Sequence, residues 1–375
     1  MSSNKQDKLY YHQSLLFIII FKIMMALTYM PSLNIPPANQ DVWIVNLVSI
    51  PYTIALALPL LYLSNKFKHC FIDIAGIITG KVIGKIIGIY YSLFFLTNLV
   101  FFSSIFVEIL NSSLYDETPT IVNVLILMVT CAYIVNKGIM NLARLGEIVI
   151  PFIIILFFIL ALLGFKNYNF QIFLPILKDS KLADINKGAI ISSLRYIDIL
   201  IITMLIPYLD DKKVVNKLFL KALIYSMIIV VISVIVVQAT LGIEYAKRVN
   251  FPYYNFARLI TIGDTQGFDL LYVVSWIIGK VIKVSGYMYF TTIALSKVTN
   301  KNNKYFIIPV AIVTLIAVVL IKDTRPVIAV TDPFRQFMNL LSVISILIIP
   351  TIILIVYFFR RKSINKANDL HKKQS

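Results

Sequence analysis

Apolar residues gather in ten stretches along the chain, at 14–30, 42–63, 82–110, 121–135, 148–165, 189–209, 219–243, 270–295, 305–321 and 337–359, with short polar segments between them. A helix crosses the hydrocarbon of a bilayer in about 20 residues, so the pattern predicts about ten transmembrane helices. The runs are too long and too uniformly apolar to alternate like barrel strands, and the bilayer leaves no other way to satisfy backbone groups. The predicted fold class is therefore an all-α integral membrane protein.

Composition agrees: 59% of the 375 residues are hydrophobic and only 14% are charged. The formal net charge of +17 would suggest nucleic acid in a soluble chain, but here the basic residues cluster between the apolar runs. With the N-terminus inside, alternate loops carry 21 basic residues on the cytoplasmic side and 10 on the outer side. The positive-inside rule then places both termini in the cytoplasm. A single polytopic domain over 1–375 is expected, with cytoplasmic tails at 1–11 and 360–375, the second polar and mobile. The first run lacks a small-residue cleavage site, which favours a retained helix over a signal peptide. Cys70, Cys131 and three scattered histidines have no metal-ligand spacing, so neither a metal nor another cofactor is expected.

Ionisable residues inside spans carry the chemistry, since each costs about 2.5–3.5 kcal/mol at a helix centre unless paired or hydrated. They are Lys22, Glu108, Arg195, Asp198, Lys280 and Lys283, with Glu108 near the outer surface. Arg195 and Asp198, three apart, would share a helix face and could pair. The same face, with Ser192, Ser193 and Tyr196, could instead wall a polar cavity, and the two readings are compatible. The lysine surplus favours an anionic group such as a carboxylate; the alternative is snorkelling of the lysine stems, above all at Lys283.

Pro31, Pro36 and Pro37 after Thr28 and Tyr29 predict that the first helix breaks there. Gly76, Gly80, Gly84 and Gly88 would line one side of a helix for close packing, and residues 71–79 read as a short interfacial helix. In the eighth span Ser285 and Tyr289 lie four apart, a hydroxyl stripe for a ligand or a neighbouring helix. Asn98, Phe102 and Ser103 follow helical spacing in the third.

Several short motifs keep a characteristic order: Asp41-Val42-Trp43 after the broken helix, Asn141 to Glu147 before Pro151, Leu174-Pro175, Phe251-Pro252, Ala257 to Ile260, and Asp269 leading to Trp276 and Lys283. In this order and spacing the chain resembles the endospore germination permease family, the B subunits of GerA-type germinant receptors, within the amino acid/polyamine/organocation superfamily. The resemblance covers nearly the whole chain. It implies a five-plus-five inverted repeat with discontinuous first and sixth helices. It also implies a spore inner-membrane location, and assembly with A and C subunits into a receptor for a small nutrient, such as an amino acid. Carried over, the ligand pocket falls on Ala26, Leu27, Thr28, Tyr29, Asn98, Phe102, Leu194, Arg195, Tyr196, Asp198, Ser285 and Tyr289. Met25-Ala26-Leu27-Thr28 lacks the glycine that relatives in the superfamily often carry at this break, so a carboxylate would be held differently or the ligand would not be an amino acid.

Two functions fit. One is a nutrient-sensing receptor subunit; the other is a proton- or ion-coupled amino acid transporter with Asp198 or Glu108 as proton carrier. An intramembrane enzyme lacks paired carboxylates, metal ligands or a nucleophile with its base, so no catalytic residue is expected.

Overall fold

The computed structural model describes residues 8–28, 30–113, 117–196, 198–261, 267–324 and 332–374. Fifteen α-helices occupy them, and the extended structure among them is a single bridge between Leu9 and Leu209. In chain order the helices are α1 (Tyr11–Ala26), α2 (Val42–Phe67), α3 (Phe71–Thr79), α4 (Lys81–Ser113), α5 (Thr120–Asn136), α6 (Ile139–Leu163), α7 (Leu182–Leu194) and α8 (Asp198–Leu205). There follow α9 (Val215–Leu241), α10 (Ile243–Arg248), α11 (Pro252–Arg258), α12 (Asp269–Thr299), α13 (Ile307–Thr324), α14 (Asp332–Val343) and α15 (Ile349–Gln374). Eight stretches are long and apolar enough to cross a membrane, and α1 and α5 are shorter apolar helices of 16 and 17 residues. These account for the ten predicted runs.

The bundle turns apolar side chains outward, because its solvent is hydrocarbon. Val82, Ile86 and Leu93 on α4, Ile148, Ile155 and Leu162 on α6, and Ile308, Ile312 and Ile316 on α13 are all exposed. Each set recurs every three, four or seven residues, the spacing of one helix face. The inward faces hold the aromatic core, including Phe17, Phe21, Phe95, Trp276 and Tyr287.

Leu9 and Arg360, near the two chain termini, lie at one end of the bundle. Leu9 donates to the Tyr208 carbonyl at 2.8 Å and accepts from the Asp210 amide at 3.0 Å, so the residues just before α1 are pinned. At the other end of the chain, Arg360 donates to the Ile78 carbonyl at 2.7 Å and caps the last turn of α3. The same end carries the Lys297–Asp73 ion pair at 2.7 Å and the Lys212 bond to the Lys68 carbonyl.

Three expectations change here. The segment after Arg360 continues α15 as helix to Gln374, where a loose polar tail was expected. The last span is interrupted by a π-helical turn at Ile344–Ile348. The four glycines do not line one helix: Gly76 lies in α3, Gly80 turns the chain with φ +96°, and Gly84 and Gly88 lie in α4. A Cβ on Gly84 would stand 2.5 Å from the Gly76 Cα, so the small residues let α4 fold back against α3 across a sharp corner. A short helix is present at 71–79 as expected, with Phe71, Ile74 and Ile78 buried and Ile77 exposed.

Candidate functional site

Two helix breaks meet in the centre. In the first, α1 ends at Ala26, and Met30 adopts a left-handed conformation with φ 40° before the 3-10 turn Pro31–Asn34. In the second, α7 ends at Leu194 and α8 restarts at Asp198. Such breaks leave backbone groups without helical partners inside the membrane, so neighbouring side chains must supply them. Helix α12 does so for the first break. The Tyr272 hydroxyl donates to the Leu27 carbonyl at 2.5 Å, Trp276 Nε1 donates to Thr28 Oγ1 at 3.0 Å, and Lys283 Nζ donates to the Phe21 carbonyl at 2.5 Å. Thr28 Oγ1 in turn donates to the Met24 carbonyl. Tyr272, Trp276, Lys280, Lys283 and Tyr287 are spaced by three or four and form one face of α12. Phe102 of α4 stacks on Tyr287 at 5.2 Å and Phe106 on Trp276 at 5.4 Å, closing that face from the other side.

The buried cations sit among aromatic rings. Lys283 Nζ lies 3.7 Å from the Phe102 ring centre, Lys280 Nζ 5.4 Å from the same ring and 5.7 Å from Trp276, and Lys22 Nζ 5.2 Å from Tyr196. Cation–π attraction partly replaces lost hydration. Asp198, at the start of α8, is 3% exposed, and the charges of Lys283 on α12 and Lys22 on α1 act on it. The Lys280 side-chain nitrogen has no hydrogen-bond partner among the described residues and is fully buried.

The expected Arg195–Asp198 face does not form, because the helix is broken between the two residues. Arg195 Nε donates to Asn339 Oδ1 at 3.4 Å instead. Snorkelling of Lys283 is also overturned: the side chain is 1% exposed and bonded to Phe21. Ser285 and Tyr289 part company as well. Ser285 lies beside Cys131 of α5, while the Tyr289 hydroxyl donates to the Tyr208 hydroxyl at 3.0 Å. Helix α12 is surrounded by several helices, and residues one turn apart meet different neighbours.

Around the breaks is a cavity of about 20 Å³, lined by Lys22, Ala26, Ser32, Asn46, Ser192 and Arg195. It has room for about one water molecule. Of the expected pocket residues, Ala26 and Arg195 line it. Leu27, Thr28 and Phe102 hold the α12 face against the first break, Leu194 ends α7, and Tyr196 carries Lys22 on its ring. Asn98 donates to the Phe94 carbonyl of its own helix at 2.9 Å. Glu108 is partly buried near the end of α4, and Tyr29 lies outside the described residues. Met25, Ser32, Ile35, Asn46, Ser192 and Val230 complete the lining. Asn46 had a signal in the sequence, an amide inside an otherwise apolar run; Ser192 was already grouped with Arg195.

The cavity is closed at the end of the bundle opposite the chain termini. The buried Asp41 carboxylate accepts from Ser180 Oγ at 2.5 Å and from the Leu177 amide at 3.2 Å, joining the segment after the first break to the loop before α7. Asn39 Nδ2 donates to Ser180 Oγ at 2.9 Å and Gln40 to Asp179 at 3.1 Å. The Pro36 carbonyl rests on Gly188, where any Cβ would collide with it. At the chain-terminus end a larger cavity of about 550 Å³ remains, lined by Lys137, Ile139, Asn141, Arg144, Tyr208 and Tyr289 among others.

A family profile described as "Spore germination protein" matches residues 8–328. This chain belongs to that family. It is similar to Spore germination protein KB of Bacillus subtilis (strain 168), with 26% identity over 307 residues covering 78% of this chain and 79% of that one. It is also similar to Spore germination protein B2 of the same organism, at 22% identity over 329 residues covering 86% and 89%. Spore germination protein XB of Bacillus anthracis is 21% identical over 206 residues, 55% of this chain and 57% of that protein. Membership in the spore germination family and a bundle of membrane-spanning helices make this an integral membrane protein of germination.

Proposed function

We propose that this protein is the B subunit of a germinant receptor of the spore inner membrane, with both termini in the cytoplasm. It would bind a small nutrient such as an amino acid between the two broken helices and signal with A and C subunits. The observation that carries this reading is the small cavity at the two breaks, bordered by both Lys22 and Arg195. A free nutrient does not fit into about 20 Å³, so the nutrient would select a wider state of the same site. A ligand shifts such an equilibrium only by its difference in affinity for the two states, and the closed state offers it almost none. The cations favour a carboxylate.

Ala26→Val narrows the cavity without adding charge. Spores carrying it, with receptor levels matched by immunoblot, should need at least about tenfold more nutrient for half-maximal germination, the equivalent of about 1.4 kcal/mol. An unchanged dose response sinks the pocket assignment.

Coupled amino acid transport is the second reading, favoured by closure at one end and an open cavity at the other. Gradient-driven, saturable uptake by reconstituted vesicles would favour it over sensing.

A further inference from the structure

The cavity at the chain-terminus end lies apart from the proposed nutrient pocket, and its lining has a chemistry of its own. Two exposed cations, Lys137 and Arg144, border it, and among the described residues no acidic side chain does. Lys137 Nζ is held 5.2 Å from the Tyr133 ring. Glu147, one turn beyond Arg144, is bonded by His12 and by Gln13, which donates to it at 2.8 Å, and it also feels the Arg144 charge. The cavity also receives the start of α6. The first bond of that helix's ladder runs from the Leu142 amide to the Gly138 carbonyl at 3.2 Å, which leaves the amides of Ile139, Met140 and Asn141 outside it. A helix 25 residues long adds its positive end at this point.

A second, independent feature points the same way. Tyr208 and Tyr289 share one hydrogen bond at 3.0 Å, and Tyr289 is 4% exposed. Tyr289 donates that bond, so the O–H proton of Tyr208, which is half-buried, has no acceptor among the described residues and stands at the wall of the cavity. The volume of about 550 Å³ falls in the range of small-molecule sites.

We propose that this cavity is an oxyanion site, taking a phosphate or carboxylate group between Lys137, Arg144, the first turn of α6 and the tyrosine pair. Cationic side chains, free amides and a hydroxyl donor together form the donor set that binds oxyanions. The group could arrive on a soluble anion or on an anionic lipid headgroup, and the test separates the two sources.

The full chain in neutral detergent is titrated with inorganic phosphate by calorimetry, against sodium chloride of equal ionic strength. It is titrated in parallel with short-chain phosphatidylglycerol. Saturable binding of phosphate identifies a soluble oxyanion; binding of phosphatidylglycerol without phosphate identifies a headgroup. In either case the variant Lys137→Gln/Arg144→Gln should bind at least about tenfold more weakly, the loss of a charged hydrogen bond. Tyr208→Phe should weaken binding several-fold. Both are compared with the parent for thermal unfolding without anion, so that a misfolded variant is recognised and the other replaces it. If neither anion binds beyond the chloride reference, or the double variant binds as the parent does, the proposal is overturned.

Discussion

Thr28 is the hinge on which the broken first helix rests, and replacing it with valine tests that directly. Valine has nearly the same shape and keeps the packing. It removes the Thr28 Oγ1 bond to the Met24 carbonyl and takes away the acceptor of Trp276 Nε1. Trp276 is 1% exposed, so its N–H is then stranded without water. Stranding a buried donor costs about 1–3 kcal/mol, whereas deleting both partners is nearly neutral in hydrogen-bond terms. Thr28→Val should therefore destabilise the protein by about 1–3 kcal/mol. Trp276→Phe loses ring volume but leaves Thr28 bonded to Met24, and the double variant should recover at least about 1 kcal/mol relative to the sum of the two. The assay is a double-mutant cycle of reversible unfolding of the purified protein in mixed micelles, with Thr28→Ser as the control that keeps the oxygen. Changes that add within about 0.5 kcal/mol would refute the coupling and with it the account of how α12 holds the break.

Two further outcomes follow from the packing. Gly84→Ala must push α4 away from the Gly76 backbone, which a Cβ would approach to 2.5 Å, and should cost about 1–3 kcal/mol in the same unfolding assay; parental stability would mean that the corner is not tight. Asp41→Ala removes the acceptor of Ser180 and of the Leu177 amide, so trypsin should cut after the exposed Lys178 and Lys181 at least about tenfold faster, with Asp41→Asn intermediate; an unchanged rate would show that this loop is held elsewhere.

Particular residues show what was legible and why. The proline cluster at Pro31, Pro36 and Pro37 announced the first break, since proline constrains its own position and the one before it. The ionisable residues Lys22, Asp198 and Lys283 announced the centre, because hydrocarbon makes every buried charge conspicuous. Their partners were not legible. Three residues of spacing suggested that Arg195 would meet Asp198, yet the sixth span breaks between them, and Arg195 reaches Asn339 on α14. Ser285 and Tyr289, one turn apart, face α5 and Tyr208 respectively.

The number of spans, the first break and the supply of buried charge belong to the sequence, because each arises from local preference or from the price of apolar surroundings. Which lysine grips which carbonyl, how small the central hollow is, and that a basic cavity opens beside the tyrosine pair belong to the tertiary structure. Those depend on how helices far apart in the chain, α1, α6, α8 and α12, come to lie against each other, and no spacing along one helix encodes the neighbours of its several faces.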